Sequence, residues 1–236
     1  KAMYSKRENM PEHFAFCAFK GSGASEDVQY VEGVKELEGS LAELKVAERI
    51  MQEAVTGLKK EGRPFVGCLY GGFMLTPDGP YLLEFNARFG DPETQVVLPL
   101  LKSDCFEVMS ACAAGTLDQV EVEWRDACAC TVVVAAGGYP NKYDKGLVMS
   151  GVEDADSLPG VTVYHAGTKT KGDQLVTSGG RVVAVSCIAP ELKGAVRGAY
   201  AGAARVRFSG AFHRGDIARR CLDAPLKVGV LGSTRG

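Results

Sequence analysis

The sequence predicts a mixed α+β fold in two parts, and three patterns support that prediction. A long stretch of helical periodicity begins at Ser40, and two apolar segments joined by a turn follow it within residues 65–85. From residue 127 onward, short apolar runs alternate with glycine-rich turns and lead into an alanine-rich helix at 191–204. With 236 residues, of which 46% are hydrophobic, the chain is long enough for one large or two small domains.

Composition and charge exclude several classes of function. The formal net charge is −2, so neither nucleic acid nor a membrane surface is expected as a partner. No apolar run approaches the ~20 residues of a membrane span. The eight cysteines form no C-x-x-C pair and no Cys/His cluster with metal-ligand spacing. They predict buried free thiols in a reducing compartment, which indicates a cytoplasmic protein and leaves an organelle open.

The front of the chain contains one weak element and one clear helix. Residues 14–19 predict a short strand, and the glycine- and serine-rich stretch at 20–25 lacks the phosphate-loop form, so it predicts a loop. The helix begins with a capping box of Ser40 and Glu43 and ends at Gly62. Its apolar stripe predicts a packing helix without chemistry: Ala47, Ile50, Met51, Ala54 and Leu58.

Residues 65–75 and 81–85 predict the two strands of a hairpin, joined by the turn cluster Thr-Pro-Asp-Gly-Pro. Inside the first strand stands a glycine pair, Gly71 and Gly72. Such a pair either lets another backbone or a ligand approach closely or marks a bulge without function. The sequence alone leaves both alternatives open.

Polar side chains follow the second strand of this hairpin. Side chains alternate faces along a strand, so Glu84, Asn86 and Arg88 are predicted to share one face. A carboxylate beside an amide oxygen suits a hard cation such as Mg²⁺, and the planar fork of an arginine suits phosphate. The alternative is an edge strand with a polar outer face. The opposite face is predicted to be buried and holds Phe85, Ala87 and Phe89.

Two helices and a strand-rich module are predicted beyond this strand. Asp91 is positioned to cap, and Pro92 to open, a short helix that reaches residue 98. Ser103 is predicted to cap the next helix, which ends near Gly115. In the strand-rich module, the apolar runs at 127–136, 161–165 and 181–188 predict strands that precede the helix at 191–204. Its paired glycines predict turn geometry and no catalysis.

The string LEFNARFGDPETQ at 83–95 resembles the signature L-E-F-N-x-R-F-G-D-P-E-x-Q of the glycinamide ribonucleotide synthetase (phosphoribosylamine–glycine ligase) family. Further resemblances are GCLYGGFML, AAGGYP, YHAGT, TSGGRV and the closing Arg214-x-Asp216-Ile217. The family usually has alanine at the position of Gly71 and often has glycine at that of Ala218. The resemblance covers about 40–220.

The resemblance implies a domain organisation. Residues 40–121 would form the C-terminal half of an ATP-grasp domain, and 122–220 the small strand-rich C-terminal domain of the synthetases. Residues 1–39 stay unassigned and divergent.

The resemblance also implies an activity, the ATP-dependent ligation of glycine to 5-phosphoribosylamine through a glycyl phosphate, in de novo purine biosynthesis. Mg²⁺ or Mn²⁺ would bind Glu84 and Asn86, and Arg88 would stabilise the acyl phosphate. Asp91 and Glu93 would either bind an ammonium group, such as that of glycine, or cap a helix.

The resemblance also indicates what is missing. In the family, the lysines over the phosphates, the adenine pocket and the domain for phosphoribosylamine precede the hairpin, and none is recognisable in residues 1–39. We therefore expect this chain to hold the metal end of the site and to be inactive alone. The alternatives are an inactive fragment or another ATP-grasp enzyme, such as a carboxylase acting through carboxyphosphate. Carboxylases share Glu-x-Asn-x-Arg but lack the FGDPETQ continuation.

The tail at 221–236 predicts a linker followed by an apolar strand and a glycine-rich turn. The string KVGVLGSTRG resembles the opening of glycinamide ribonucleotide formyltransferases, which implies a multifunctional protein fused to a later purine-pathway enzyme. The alternative is a last strand in the sheet of the small domain.

Overall fold

The computed structural model describes residues 13–20, 29–32, 40–76, 78–219 and 222. The described residues divide into two compact units, one within 1–93 and 101–125 and the other within 94–100 and 126–222. In chain order the helices and strands are β1 (His13–Lys20), β2 (Gln29–Glu32), α1 (Ser40–Lys60), β3 (Gly67–Thr76), β4 (Gly79–Asn86), α2 (Thr94–Leu100), α3 (Cys105–Ala114), β5 (Cys128–Ala135), α4 (Val152–Asp156), β6 (Val161–His165), β7 (Thr168–Lys171), β8 (Gln174–Thr177), β9 (Arg181–Ala189) and α5 (Leu192–Ala203).

The first unit is built on an antiparallel sheet with the strand order β2-β1-β3-β4. The predicted hairpin is confirmed as β3 and β4, and the predicted short strand as β1. The predicted loop at 20–25 lies outside the described residues, apart from Lys20 at the end of β1. The domain boundaries inferred from the sequence stay a prediction.

Helix α1 packs against β3 because helical spacing brings Ala47 and Met51 of the predicted stripe, together with Val55, onto one buried face. These side chains form a core with Leu69 and Phe73. The other members of the predicted stripe are only half-buried: Ile50, Ala54 and Leu58. The helix ends as predicted. Gly62 adopts a φ of +75°, and the Arg63 N–H donates to the Leu58 carbonyl over 2.9 Å. The side chains of the predicted capping box lie outside the described part.

Helix α3 is capped by Asp104, so the prediction of Ser103 was wrong. Asp104 Oδ1 accepts from the N–H groups of Phe106 (2.8 Å) and Glu107 (3.1 Å). Ser103 Oγ instead accepts from the Glu123 N–H over 2.7 Å. The helix ends at Gly115 as predicted, and this glycine has a left-handed conformation.

The prediction of thiols outside disulfides is confirmed for the cysteines whose side chains are described: Cys68, Cys105, Cys112, Cys128, Cys130 and Cys187. Their predicted burial is wrong for Cys105, which is exposed, and incomplete for Cys68 and Cys128. Cys105 opens α3 at the surface, and the next residue, Phe106, is 80% exposed.

The second unit contains an antiparallel sheet with the order β5-β9-β6 and a separate β7–β8 hairpin. Helix α5 covers one face of the sheet with small residues, so helix and sheet come close. A Cβ at Gly202 would lie 2.7 Å from Val185 Cγ1, and one at Gly198 would collide with Cys187 Sγ. The predicted strands and final helix are confirmed, whereas the β7–β8 hairpin and α4 were not foreseen.

The paired glycines of this unit pack backbone against backbone. A Cβ at Gly137 would lie 2.9 Å from the Gly210 carbonyl oxygen, and one at Gly167 would lie 2.6 Å from Gly179 Cα. Gly180 supports the edge of the Tyr139 ring. The space beside these glycines is filled by the protein itself, which supports the prediction that they serve turn geometry.

The motif Arg214-x-Asp216-Ile217 anchors the end of the second unit. The Arg214 guanidinium makes two hydrogen bonds to the Asp216 carboxylate. Nε donates to Oδ1 over 2.8 Å, and Nη2 donates to Oδ2. The Tyr200 hydroxyl donates to the Arg214 carbonyl and accepts from the Ile217 N–H, each over 2.9 Å. Burial raises the pKa of Tyr200, and the hydrogen bond from Arg214 lowers the pKa of Asp216.

We expect Tyr200→Phe to lower the free energy of unfolding by about 1–3 kcal/mol, because it removes both hydrogen bonds from a half-buried position. Chemical denaturation followed by circular dichroism measures the change. The matched control is Tyr81→Phe at a side chain that is 56% exposed. Equal losses in the two variants would contradict the anchoring role.

Ala218→Gly is expected to stabilise the chain by about 0.5–1 kcal/mol, because Ala218 has a φ of 60°, where a Cβ is strained. Ala201→Gly, at an exposed position of α5, should instead cost about 1 kcal/mol. Denaturation midpoints of both variants test this difference in sign, and a loss of stability in Ala218→Gly would refute it.

Asp216→Asn is expected to weaken the dependence of the free energy of unfolding on pH in the acid range, below about pH 4. The lowered pKa of Asp216 means that the folded chain binds its proton less readily than the unfolded chain. The contribution to stability is therefore complete above the ordinary carboxyl pKa of about 4 and is lost as pH falls through the lowered folded-state pKa. Denaturation at several pH values checks this, and identical acid slopes for the variant and the unmodified chain would contradict it.

Candidate active site

The side chains of Glu84 and Asn86 lie on the same face of the hairpin, as the alternation predicted. In the antiparallel pairing of β3 with β4, Glu84 stands opposite Gly72 and Asn86 opposite Tyr70. Directly opposed residues project to the same side of a sheet. The face therefore carries a carboxylate and a carboxamide next to the buried ring of Tyr70.

The opposite face of the hairpin points to α1. A Cβ at Gly71 would lie 2.7 Å from Met51 Sδ and 2.8 Å from Phe73 Cε2, so this row of the sheet meets the helix. Phe85 stands opposite Gly71 in the same row. Glu84 and Asn86 are therefore directed away from α1.

A β-bulge in β4 makes this arrangement possible. Gly72 pairs with Glu84, but the next residue, Phe73, pairs with Leu82, so Leu83 is the extra residue. Leu82 packs against the core under α1, whereas Glu84 faces the other way. In a regular strand these two residues would share a face.

The glycine pair at 71–72 lets side chains pack closely against β3 on both faces of the sheet. Gly71 makes room for Met51, and Gly72 makes room for Glu84, whose Cγ would be only 3.3 Å from a Cβ at that position. The bulge lies opposite the pair and in the other strand. A bulge thus does occur at this pair, as the second sequence alternative predicted, and the groups that approach the two glycines are side chains of this chain, Met51, Phe73 and Glu84.

The predicted burial of Phe85 and Ala87 was wrong. Phe85 is 42% exposed because Met51 and Phe73 already fill the space beside its cross-strand neighbour. Ala87 is exposed because β4 ends at Asn86 and strand alternation stops there. Phe89 is half-buried.

Arg88 does not continue the face of β4, because the strand has ended two residues earlier. Its side chain is exposed, and Nη1 donates to the Phe89 carbonyl over 2.9 Å. Arg88 thus lies in the bend between β4 and the following turn, where the alternation of a strand no longer defines a shared face.

Asp91 and Glu93 lie in a turn, and the predicted helix start was wrong. The Asp91–Pro92 peptide is cis, and α2 begins at Thr94, so Pro92 is not its first residue. Glu93 Oε1 accepts from the Tyr70 hydroxyl over 3.2 Å. Tyr70 is opposite Asn86, so this hydrogen bond directs Glu93 toward the strand pair that bears the predicted cation ligands.

The donor set suits a cation that is shared with a substrate. Glu84 and Asn86 provide one carboxylate and one amide oxygen, and Mg²⁺ commonly takes few protein ligands and completes its shell with water and phosphate oxygens. Among the described residues, no group of three or more His, Cys, Asp or Glu side chains is arranged to hold a metal ion. Within the same residues, no helix is long and apolar enough to cross a membrane.

Comparison with known sequences gives the class of protein and then the family. Residues 38–94 match the ATP-grasp (A) domain of phosphoribosylglycinamide synthetase, and residues 129–220 match its C domain. The two matched segments are thus part of an ATP-grasp domain and a C domain. The chain belongs to the phosphoribosylglycinamide synthetase family.

Relatives include fused and single proteins. The chain is 48% identical over 180 residues to the trifunctional purine biosynthetic protein adenosine-3 of Gallus gallus, covering 76% of this chain and 18% of that protein. It is 45% identical over 173 residues to the phosphoribosylamine–glycine ligase of Caldanaerobacter subterraneus, covering 73% of this chain and 41% of that one. The chain thus spans less than half the length of either relative.

Solved structures agree with this assignment. The crystal structure of phosphoribosylamine–glycine ligase from Thermotoga maritima superposes with a TM-score of 0.70 at 26% identity, covering 89% of this chain and 57% of that one. The N5-carboxyaminoimidazole ribonucleotide synthetase of Thermotoga maritima has a TM-score of 0.56 at 14% identity, over 84% of this chain and 52% of that one. This second likeness shows the fold alone.

Proposed function

We propose that this protein takes part in the ATP-dependent ligation of glycine to 5-phosphoribosylamine, which yields glycinamide ribonucleotide in purine biosynthesis. The observation that carries the proposal is the bulged strand β4, which presents Glu84 and Asn86 of the family signature on the face directed away from α1. Relatives named phosphoribosylamine–glycine ligase, which match across both units, support the same activity.

The reaction has two displacements. A carboxylate oxygen of glycine attacks the γ-phosphorus of ATP and ADP leaves, which gives glycyl phosphate. The amine of phosphoribosylamine then attacks the glycyl carbonyl carbon, phosphate leaves, and the nitrogen loses a proton. Both steps concentrate negative charge, so the site must supply positive charge and fixed orientation.

Glu84 and Asn86 would hold a divalent cation through one carboxylate oxygen and one amide oxygen. Mg²⁺ or Mn²⁺ bound there would neutralise and orient the phosphate groups. Arg88 would release the Phe89 carbonyl and direct its guanidinium to the oxygens of the acyl phosphate. Asp91 would bind the ammonium group of glycine. Glu93, which accepts a hydrogen bond from the Tyr70 hydroxyl, would bind the same ammonium group.

A fused arrangement is also proposed. Several relatives are trifunctional or bifunctional purine biosynthetic proteins, and the tail at 221–236 begins with linker-like composition. That tail lies outside the described residues, apart from Leu222. Extending the reading frame past Gly236 tests the idea. A continuation of ~200 residues with alternating strands and helices would support it, and an immediate stop codon would refute it.

Phosphate release from ATP tests the activity. The full-length gene product should release phosphate only when glycine and phosphoribosylamine are both present, and residues 1–236 alone should not. Release that requires bicarbonate in place of glycine would overturn the proposal in favour of a carboxylase. Substrate-dependent release by residues 1–236 alone would refute the expectation that this segment holds only the metal end of the site.

A further inference from the structure

Ser186 is a buried hydroxyl in an otherwise apolar strand. It lies in the middle of β9, in the run VVAVSCIA, and is 2% exposed. Its neighbours Val185 and Cys187 border the glycines of α5, so alternation turns Ser186 to the other face of the sheet. There it stands in a row of hydroxyls across three strands, between Thr131 of β5 and Thr162 of β6.

The Ser186 hydroxyl contacts the start of α2. Ser186 Oγ is 2.8 Å from the Gln95 carbonyl oxygen and 2.9 Å from Thr131 Oγ1. A carbonyl only accepts, so the hydrogen bond to Gln95 uses the single hydroxyl hydrogen of Ser186. Thr131 Oγ1 lies within reach of Ser186 Oγ and, at 3.4 Å, of the Val185 carbonyl oxygen, and its own hydrogen serves one of these two contacts. Gln95 and Ser186 are 91 residues apart in sequence.

The helix itself explains why Gln95 needs this donor. In an α-helix the carbonyl of residue 95 accepts from the N–H of residue 99. Residue 99 is proline, which lies inside α2 and has no N–H to donate. Ser186 thus supplies from the sheet the hydrogen bond that Pro99 does not.

We propose that Ser186 is a positioning residue for the ligase reaction, because it holds the Gln95 carbonyl that Pro99 leaves without its helical donor and so fixes the entry into α2. The inference rests on the proposed function. Gln95 closes the signature string, and Asp91 and Glu93 precede it by four and two residues. The backbone that Ser186 holds at Gln95 is therefore only two residues from Glu93 along the chain.

The test uses the full-length protein and three variants. Ser186→Ala is expected to lower kcat about 10-fold or more, since small misplacements at a reacting centre are costly, and to leave the KM for ATP unchanged. Ser186→Thr keeps the hydroxyl and should retain more of the rate. The double variant Ser186→Ala/Pro99→Ala restores an N–H at residue 99, so it should recover most of kcat.

Thr162→Ala is the matched control, because it removes another hydroxyl of the same row without touching Gln95. Amide hydrogen exchange in α2 provides a second measurement, and it should quicken in Ser186→Ala and slow again in the double variant. Wild-type kcat in Ser186→Ala, or no recovery when Pro99 is also replaced, would overturn the inference. Failure of the proposed function is distinct, because the unmodified enzyme would then show no ligase activity at all.

Discussion

Glu84→Gln in the full-length protein is expected to reduce Mg²⁺-dependent turnover by at least about 100-fold. The loss of an outer partner of a metal site already costs about 10–100-fold, and Glu84 is proposed to be a direct ligand. Glutamine keeps the shape and the packing over Gly72 but removes the negative charge. Initial rates measured over a range of Mg²⁺ concentrations give both the affinity for the ion and the maximal rate.

The fold should survive this substitution, because Glu84 is exposed at the surface of β4. Circular dichroism and the denaturation midpoint should match those of the unmodified enzyme. Glu61→Gln, at an exposed glutamate just past the end of α1, is the matched control and should behave like the unmodified enzyme. An unchanged magnesium dependence in Glu84→Gln would rule out the assignment of Glu84 as a ligand.

Arg88→Lys is expected to lower kcat by about 10–100-fold with little effect on nucleotide affinity. Lysine keeps the positive charge but loses the planar fork that binds two oxygens at once. The developing acyl phosphate should feel this loss more than bound ATP does, so the rate should fall more than the affinity. Single-turnover rates and nucleotide binding, measured separately, distinguish the two effects.

The exposed Arg63 provides the control, as Arg63→Lys makes the same chemical change beyond α1. In this turn the Arg63 backbone N–H donates to the Leu58 carbonyl, and lysine retains that N–H. Equal nucleotide affinity together with equal turnover in Arg88→Lys would refute a role at the acyl phosphate. A fall in affinity that accounts for the whole effect would place Arg88 on ATP instead.

The elements that depend on local signals were predictable from the sequence. The stripe through Met51 predicts α1, the turn residues at 76–80 predict the hairpin, and Gly115 predicts the end of α3. The prediction of the α3 cap failed because Ser103 and Asp104 are adjacent and both are residue types that cap helices. The backbone decides between them, and it gives the cap to Asp104 and turns Ser103 to Glu123.

The features that depend on distant partners were not predictable. The bulge at Leu83 is defined by the pairing of β4 with β3, and Phe85 is exposed because the side chains of Met51 and Phe73 fill the space beside Gly71. The hydrogen bond from Ser186 to Gln95 joins residues that are 91 positions apart in the sequence. One signal was available in the sequence, since a lone serine in an apolar strand needs a partner once it is buried.

The bulge at Leu83 has a consequence for how this strand tolerates insertions and deletions. Loss of one residue from an ordinary strand turns every following side chain to the other face. Loss of Leu83 would not do so, because Leu82 and Glu84 would then be consecutive and would keep their present, opposite faces. The strand would straighten and lose an exposed leucine, yet its polar face would stay in phase. A deletion at this one position would therefore leave Glu84 and Asn86 on the face that is directed away from α1.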